Sequence, residues 1–284
     1  FPYTTLFRSS EAVAIELLKT VRPLAHNSAD GTFEIAVSGG TPSASGYSVR
    51  FVRKEDNQPF SPTSLRQDGN KYIYTLSGIG RGEYTAIAED HPYSSLQESD
   101  KKAPCGCKAE LDLQLTAPPP LVVTLQETHY VSCHGDRDGE LTAHASGGKP
   151  STSSRLPYAY SWYRLQGGVK TLLPLQADSI AGGLEAGHYL VKITDANGIS
   201  LESPSFELIQ PEALSLSFQT TAPSCSDAEG QVVAVVRGGT PPYSYEWNKE
   251  GASDATLTIQ ESGSYFVRVK DSRGCSITGN TEVT

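Results

Sequence analysis

Methionine is absent from all 284 residues, and we therefore expect the chain to be an interior stretch of a longer reading frame. Long apolar runs are missing too: none approaches the roughly 18 residues of a membrane span, and no signal peptide is visible. Positive charge is scarce and scattered. Lys and Arg number 23 against 32 Asp and Glu, a net charge of −9 with no basic block, which argues against nucleic acid or an anionic membrane surface as partner. The five cysteines are an odd number, so at least one has no partner within this chain. Catalytic signatures are also lacking. There is no Gly-x-Ser-x-Gly elbow, no phosphate-cradling Gly-x-x-x-x-Gly-Lys and no His-Glu-x-x-His, and we expect neither an enzyme nor a cofactor.

What the chain has in abundance is turn formers, 26 Gly and 18 Pro, a composition that favours many short strands over long helices. One stretch organises it: Gly238-Gly239-Thr240-Pro241-Pro242-Tyr243-Ser244-Tyr245-Glu246-Trp247. It returns as Gly147-Gly148-Lys149-Pro150, an insertion, then Pro157-Tyr158-Ala159-Tyr160-Ser161-Trp162. In its weakest form it is Gly39-Gly40-Thr41-Pro42, then Gly46-Tyr47-Ser48-Val49-Arg50-Phe51, with Phe in the Trp place. The second Gly steps from 40 to 148 to 239, periods of 108 and 91 residues, which is the size of a domain and not of a solenoid turn.

Residues 1–9 look like the in-frame translation of a sequencing adapter, and we set residues 1–10 aside as an artefact of assembly. The rest divides into copies at 11–117, 118–210 and 211–284. Each copy opens with a first strand. Glu11 to Thr20 could pass for an amphipathic helix, but its register against Leu121 and Leu214 assigns it to a strand. A turn ending in Gly31, Gly139 or Gly230 follows, then an alternating run with Phe33, Ile35 and Val37 on one face, matched by Leu141, Ala143 and Ala145 and by Val232, Ala234 and Val236. The Gly-Gly-x-Pro breaks that strand, since Gly permits positive φ and Pro lacks a donor. The next strand carries Tyr243, Tyr245 and Trp247 on one face. A late strand opens with Gly-x-Tyr at Tyr84, Tyr189 and Tyr265, similar to the tyrosine corner of immunoglobulin-like sandwiches. The reading is all-β: tandem immunoglobulin-like antiparallel sandwiches, joined end to end by linkers as short as Pro118-Pro119-Pro120.

Cys225-Ser-Asp-Ala-Glu-Gly230, then Gly-Gly-Thr-Pro-Pro-Tyr-x-Tyr-x-Trp, Gly-x-Tyr-x-Val-x-Val-x-Asp271 and Gly274-Cys275 together resemble the SprB repeat of Bacteroidetes gliding-motility and cell-surface adhesins. The resemblance covers the chain outside the adapter-like start as three copies, strongest in the third. It implies a large secreted protein of tandem domains, exported by the type IX system to the outer membrane and used in adhesion or gliding. It supplies no ligand. It also implies that Cys225 and Cys275, the early and late cysteines of one copy, form a disulfide, a bridge worth roughly 3–4 kcal/mol for a loop of that length. In the second copy Cys133 keeps the early position while Ile199 takes the late one; in the first, Cys107 keeps the late position and His26 stands at the early one.

Other candidate chemistry is weak. Cys105, Cys107, His129, Cys133 and His134 could be drawn as a zinc site, but the spacing is unlike any ribbon or finger, and it reads as orphaned bridge cysteines plus a surface pair. Asp136-x-Asp138-Gly139 lacks the further oxygen ligands of a calcium loop and reads as a turn. Tyr158, Tyr160, Trp162, Tyr243, Tyr245 and Trp247 would form a carbohydrate platform if exposed, yet their recurrence at strand spacing points to core. The segments between scaffold strands change length, with Phe51 to Tyr84 spanning 33 residues, Trp162 to Tyr189 27 and Trp247 to Tyr265 18. Specificity belongs in such loops: Ser151–Leu156, Leu165–Ala181 and Arg53–Asn70. We expect a monomeric, non-catalytic spacer that faces an extracellular surface or polysaccharide. The alternative is a set of accessory modules of a secreted glycoside hydrolase or peptidase whose catalytic domain lies outside this stretch.

Overall fold

The structure is a computed structural model, and it describes residues 12–40, 42–90, 107–223, 229–249 and 251–284. The adapter-like start, Cys105 and Cys225 lie outside these described residues. Every regular element among them is a β-strand.

The first set is β1 (Ala14–Val21), β2 (Gly31–Ser38), β3 (Ser48–Arg53), β4 (Gln58–Phe60), β5 (Ser64–Asp68), β6 (Lys71–Ile79), β7 (Gly82–Glu89) and β8 (Lys108–Leu115). They form two antiparallel sheets, ordered β1-β2-β6-β5 and β4-β3-β7-β8. The order matches the two-sheet strand arrangement of immunoglobulin-like sandwiches. Alternation sends one face of each sheet to a shared core, where Phe33, Ile35 and Val37 of β2 meet Phe51 of β3 and Tyr84 and Ala86 of β7. Phe33 and Tyr84 pack edge to face, ring centroids 5.6 Å apart.

The second set is β9 (Val122–His129), β10 (Gly139–Ser146), β11 (Ala159–Gln166), β12 (Val169–Leu172), β13 (Ile180–Leu184), β14 (Gly187–Thr194), β15 (Ser200–Glu202) and β16 (Phe206–Leu208). Its sheets run β13-β10-β9 and β12-β11-β14-β15, with β16 also pairing β14. The last strand is split because Pro204 has no amide to donate, and the buried Ser203 bridges the gap with Oγ accepting the Val191 amide at 3.1 Å. The third set is β17 (Ser215–Thr221), β18 (Gly230–Arg237), β19 (Ser244–Trp247), β20 (Thr256–Ile259), β21 (Gly263–Lys270) and β22 (Ser276–Val283), in sheets β17-β18-β20 and β19-β21-β22.

Chain contacts divide the molecule into two compact units: residues 1–122 with 146–151 and 195–199, and residues 123–145, 152–194 and 200–284.

The expected strand faces are largely as read. Phe33, Ile35, Val37, Leu141, Ala143, Val232 and Ala234 are buried, whereas Ala145 and Val236 are only partly so. Phe51, Trp162 and Trp247 are buried at 0%, 0% and 6% exposure, which removes the indoles from any carbohydrate platform. Each indole also donates to a backbone carbonyl, Trp162 to Asp178 at 2.9 Å and Trp247 to Asp254 at 2.8 Å. The three late-strand tyrosines form tyrosine corners: Tyr84, Tyr189 and Tyr265 donate their hydroxyls to the carbonyls of Gly80, Glu185 and Glu261, at 2.8, 2.7 and 2.6 Å.

Candidate functional site

The Gly pair is a lock. Gly39, Gly40, Gly147, Gly148, Gly238 and Gly239 all adopt positive φ, between 55° and 78°. A Cβ on the second Gly would lie 2.7–2.8 Å from the Oδ2 of Asp90, Asp195 or Asp271, the Asp that ends the late strand of the same copy. That Asp is buried in every copy. In the third, Oδ2 of Asp271 accepts the Thr240 amide at 2.8 Å, while Oδ1 accepts the amides of Arg273 and Cys275, each at 2.9 Å. Asp195 does the same with Lys149, Asn197 and Ile199, all at 2.9 Å. A carboxylate satisfied by three amides is a strong structural clamp, and it holds the Asp-x-x-Gly-x hairpin against the Gly pair.

In the second unit this hairpin carries the disulfide. Cys275 is bonded to Cys133, with Cα atoms 5.7 Å apart and a separation of 142 positions in sequence. The expected partner, Cys225, is thereby displaced: the early cysteine of the second copy, not that of the third, reaches the late cysteine of the third. The physical reason is position, since a bridge needs Cα atoms within about 7 Å and it is the loop before β10 that lies beside the hairpin after β21. Cys133 therefore has no partner within its own copy, as the sequence suggested, and its sulfur is unavailable to zinc. Cys107 is an exposed free thiol. Among the described residues no cluster of three or more His, Cys, Asp and Glu is placed to hold a metal.

Further contacts surround the bridge. His134 donates Nδ1–H to the carbonyl of Pro211 at 3.2 Å, and the Gly135 amide donates to Gln210 Oε1 at 2.8 Å. Arg273 donates Nη1–H to the Val131 carbonyl at 3.2 Å, and its guanidinium lies 3.9 Å from the centroid of the Tyr130 ring. Asp138 accepts the Ser132 amide at 3.0 Å, so it is a turn residue; hydrogen bonding from Ser132 holds its carboxyl below the ordinary value. A groove of about 600 Å3 beside the bridge is lined by Tyr130, Gln210, Thr240 and Arg273 among others. Tyr130 is half-exposed, and both His129 and the Arg273 guanidinium pack on its ring.

The variable segments are more ordered than their sequence suggests. Arg53–Asn70 contains β4 and β5, and Leu165–Ala181 contains β12, which pairs with β11 from Tyr163↔Leu172 to Gln166↔Val169. β5 and β12 are edge strands exposed along their whole length, without the alternation of a strand that has a buried face. In the Ser151–Leu156 insertion, Arg155 forms an exposed ion pair with Asp178 at 2.6 Å. The first Tyr of the first and third sets also has a structural task, with the Tyr47 and Tyr243 hydroxyls donating to the carbonyls of Gly39 and Gly238.

The SprB repeat family model matches the chain at residues 128–167 and 217–252, within the second and third copies. No curated protein matches the chain. Among solved structures it is similar to the three N-terminal domains of the bacteriophage RB49 highly immunogenic outer capsid protein, at 14% identity over 96% of this chain and 97% of that one, TM-score 0.43. It is also similar to a tetra-tandem repeat in the extending region of a large adhesion protein, at 10% identity over 97% and 75% of the two chains, TM-score 0.35.

Proposed function

We propose that this chain is a non-catalytic stalk region of a secreted cell-surface adhesin, built of three repeats at 11–117, 118–210 and 211–284. The observation that carries this reading is how the recurring residues are used. In every copy the aromatic of the third strand is buried, the corner Tyr hydroxyl is bonded to backbone, and the Gly pair is closed on a buried Asp. Side chains consumed by the scaffold leave recognition to what differs between copies. The two segments matched to the SprB repeat support the same reading, and the resemblance extends it to export by the type IX system and attachment at the outer membrane.

Any recognition of a surface or polysaccharide then sits on Ser151–Leu156, Leu165–Ala181 and Arg53–Asn70. These stretches mix Arg, Lys, Gln and Ser with few aromatics, which can hydrogen-bond a sugar but not stack on it, so binding is weak. A glycan array on the whole chain, repeated with the three segments shortened to Gly/Ser turns, tests this. Weak signals that vanish on shortening are expected. Tight binding that survives it would put the site on the strand faces and overturn the stalk reading.

A further inference from the structure

The hydrogen bonds around Cys133 and Cys275 recur, almost one for one, at a second place in the molecule. In the first compact unit the Leu24 amide donates to Asp30 Oδ1 at 3.2 Å, as that of Ser132 does to Asp138. His26 donates Nδ1–H to the Pro118 carbonyl at 3.1 Å, as His134 does to Pro211. Asn197 donates Nδ2–H to the Leu24 carbonyl at 2.8 Å, where Arg273 reaches the Val131 carbonyl, one residue earlier in the loop. The connecting segments behave alike as well: the Gly148 amide donates to Pro119 at 2.9 Å and the Gly239 amide to Glu212 at 2.8 Å.

These bonds fix the correspondence independently of any sequence alignment. His26 stands where His134 stands, so the early-cysteine position in the first copy is Ala25 and not His26. Ile199 stands where Cys275 stands, with its amide on Asp195 Oδ1 and its carbonyl accepting the Asp195 amide at 2.9 Å, as Cys275 has with Asp271. The place equivalent to the disulfide is therefore Ala25 against Ile199, and both halves of that bridge are missing together.

We propose that the loop before the second strand of one repeat and the Asp-x-x-Gly-x hairpin of the following repeat form a docking site whose partner is the next copy in the same chain. The recognition is made by the His to the connecting segment and by the hairpin's Asn or Arg to the loop carbonyl. The disulfide is an added lock, present in one junction and absent from the other. The pairing rule is early cysteine with the late cysteine of the next copy, as in Cys133 with Cys275.

The test is the Ala25→Cys/Ile199→Cys double variant of the whole chain, held in a glutathione redox buffer. Oxidised glutathione takes the two electrons and two protons of the new thiols, leaving one S–S bond and two reduced glutathiones. Non-reducing peptide mapping is expected to show the peptides of residues 25 and 199 joined in most molecules, with Cys133–Cys275 intact. Finding both new thiols open to alkylation while Cys133–Cys275 is formed would overturn the proposal. A second variant guards against misfolding: Cys133→Ala/Cys275→Ile gives the locked junction the residues of the unlocked one. Its connecting segment Ile209–Ala213 should resist proteolysis within a few-fold of the parent chain, since cleavage follows the population of the open state. Cleavage there accelerated by more than about tenfold would show that the lock alone holds the junction, and would equally overturn the proposal.

Discussion

Asp271 reaches back across 31 residues to accept the amide of Thr240 at 2.8 Å, and so joins the end of the late strand to the turn that starts the third strand. The same carboxylate presents the hairpin that carries Arg273 and Cys275. One buried side chain therefore serves the fold of a copy and the geometry of its contact loop at once.

Asp271→Ala should lose the three amide bonds to this carboxylate and leave their donors in a poorly hydrated turn. Hydrogen bonds to a charged group are worth about 1.5–3 kcal/mol each in the favourable case, and partial hydration of the turn reduces the sum, so we expect a loss of about 2–4 kcal/mol in urea unfolding. Asp271→Asn, which keeps two acceptor lone pairs but not the charge, should recover part of it. Equal losses for both variants would count against the clamp.

Gly239→Ala should cost stability for two reasons that act together. Its φ of +64° is strained for an L residue by about 1–3 kcal/mol, and its new Cβ would sit 2.8 Å from Asp271 Oδ2 and 2.6 Å from Leu214 Cδ2. Gly251→Ala, with φ +78° but nothing within 4 Å, carries the strain alone and is the control. A Gly239 variant no worse than the Gly251 variant in thermal unfolding would refute the steric half of the argument.

Trp162→Ala should destabilise by about 3–5 kcal/mol, the range for truncating a core aromatic, and Trp247→Ala by a similar amount. Trp162→Phe keeps most of the buried area and loses the bond to the Asp178 carbonyl, so its cost is smaller, about 1–2 kcal/mol. Tryptophan fluorescence that is blue-shifted in the folded chain and red-shifts on unfolding checks the burial directly.

The loop before β10 has a pH signature. Ser132 stabilises the ionised Asp138, so the folded carboxyl titrates below its unfolded value. That contribution is fully present above the unfolded aspartate range and is lost as pH falls through the lower folded value. Asp30, held down chiefly by Ser28, behaves alike in the equivalent loop. A carboxyl titration followed by NMR should place both midpoints below that of a free aspartate; ordinary midpoints would mean that the turns are open in solution.

Much of this was readable from the residues in order. The period-two apolar runs located β2, β18 and β21 and their inward faces, and Gly-x-Tyr located the corners. The Gly pair announced its positive φ. The edge strands β5 and β12 were not readable, because strands with no buried face have no apolar alternation to betray them, and β4 is only three residues long with Phe60 alone packed on the core. The corner hydroxyls, by contrast, bond four residues back and are local enough for sequence to place.

The cysteines mark where that legibility stops. Local order determined which stretches are strands, which faces are inward and where the chain must turn, because each depends on residues a few positions apart. It could not determine that Cys275 joins Cys133 and not Cys225, since disulfide connectivity does not follow from spacing. That choice belongs to tertiary structure: the clamp on Asp271 and the His134 contact to Pro211 bring two loops 142 residues apart to a Cα separation of 5.7 Å, and only atoms brought that close can bond.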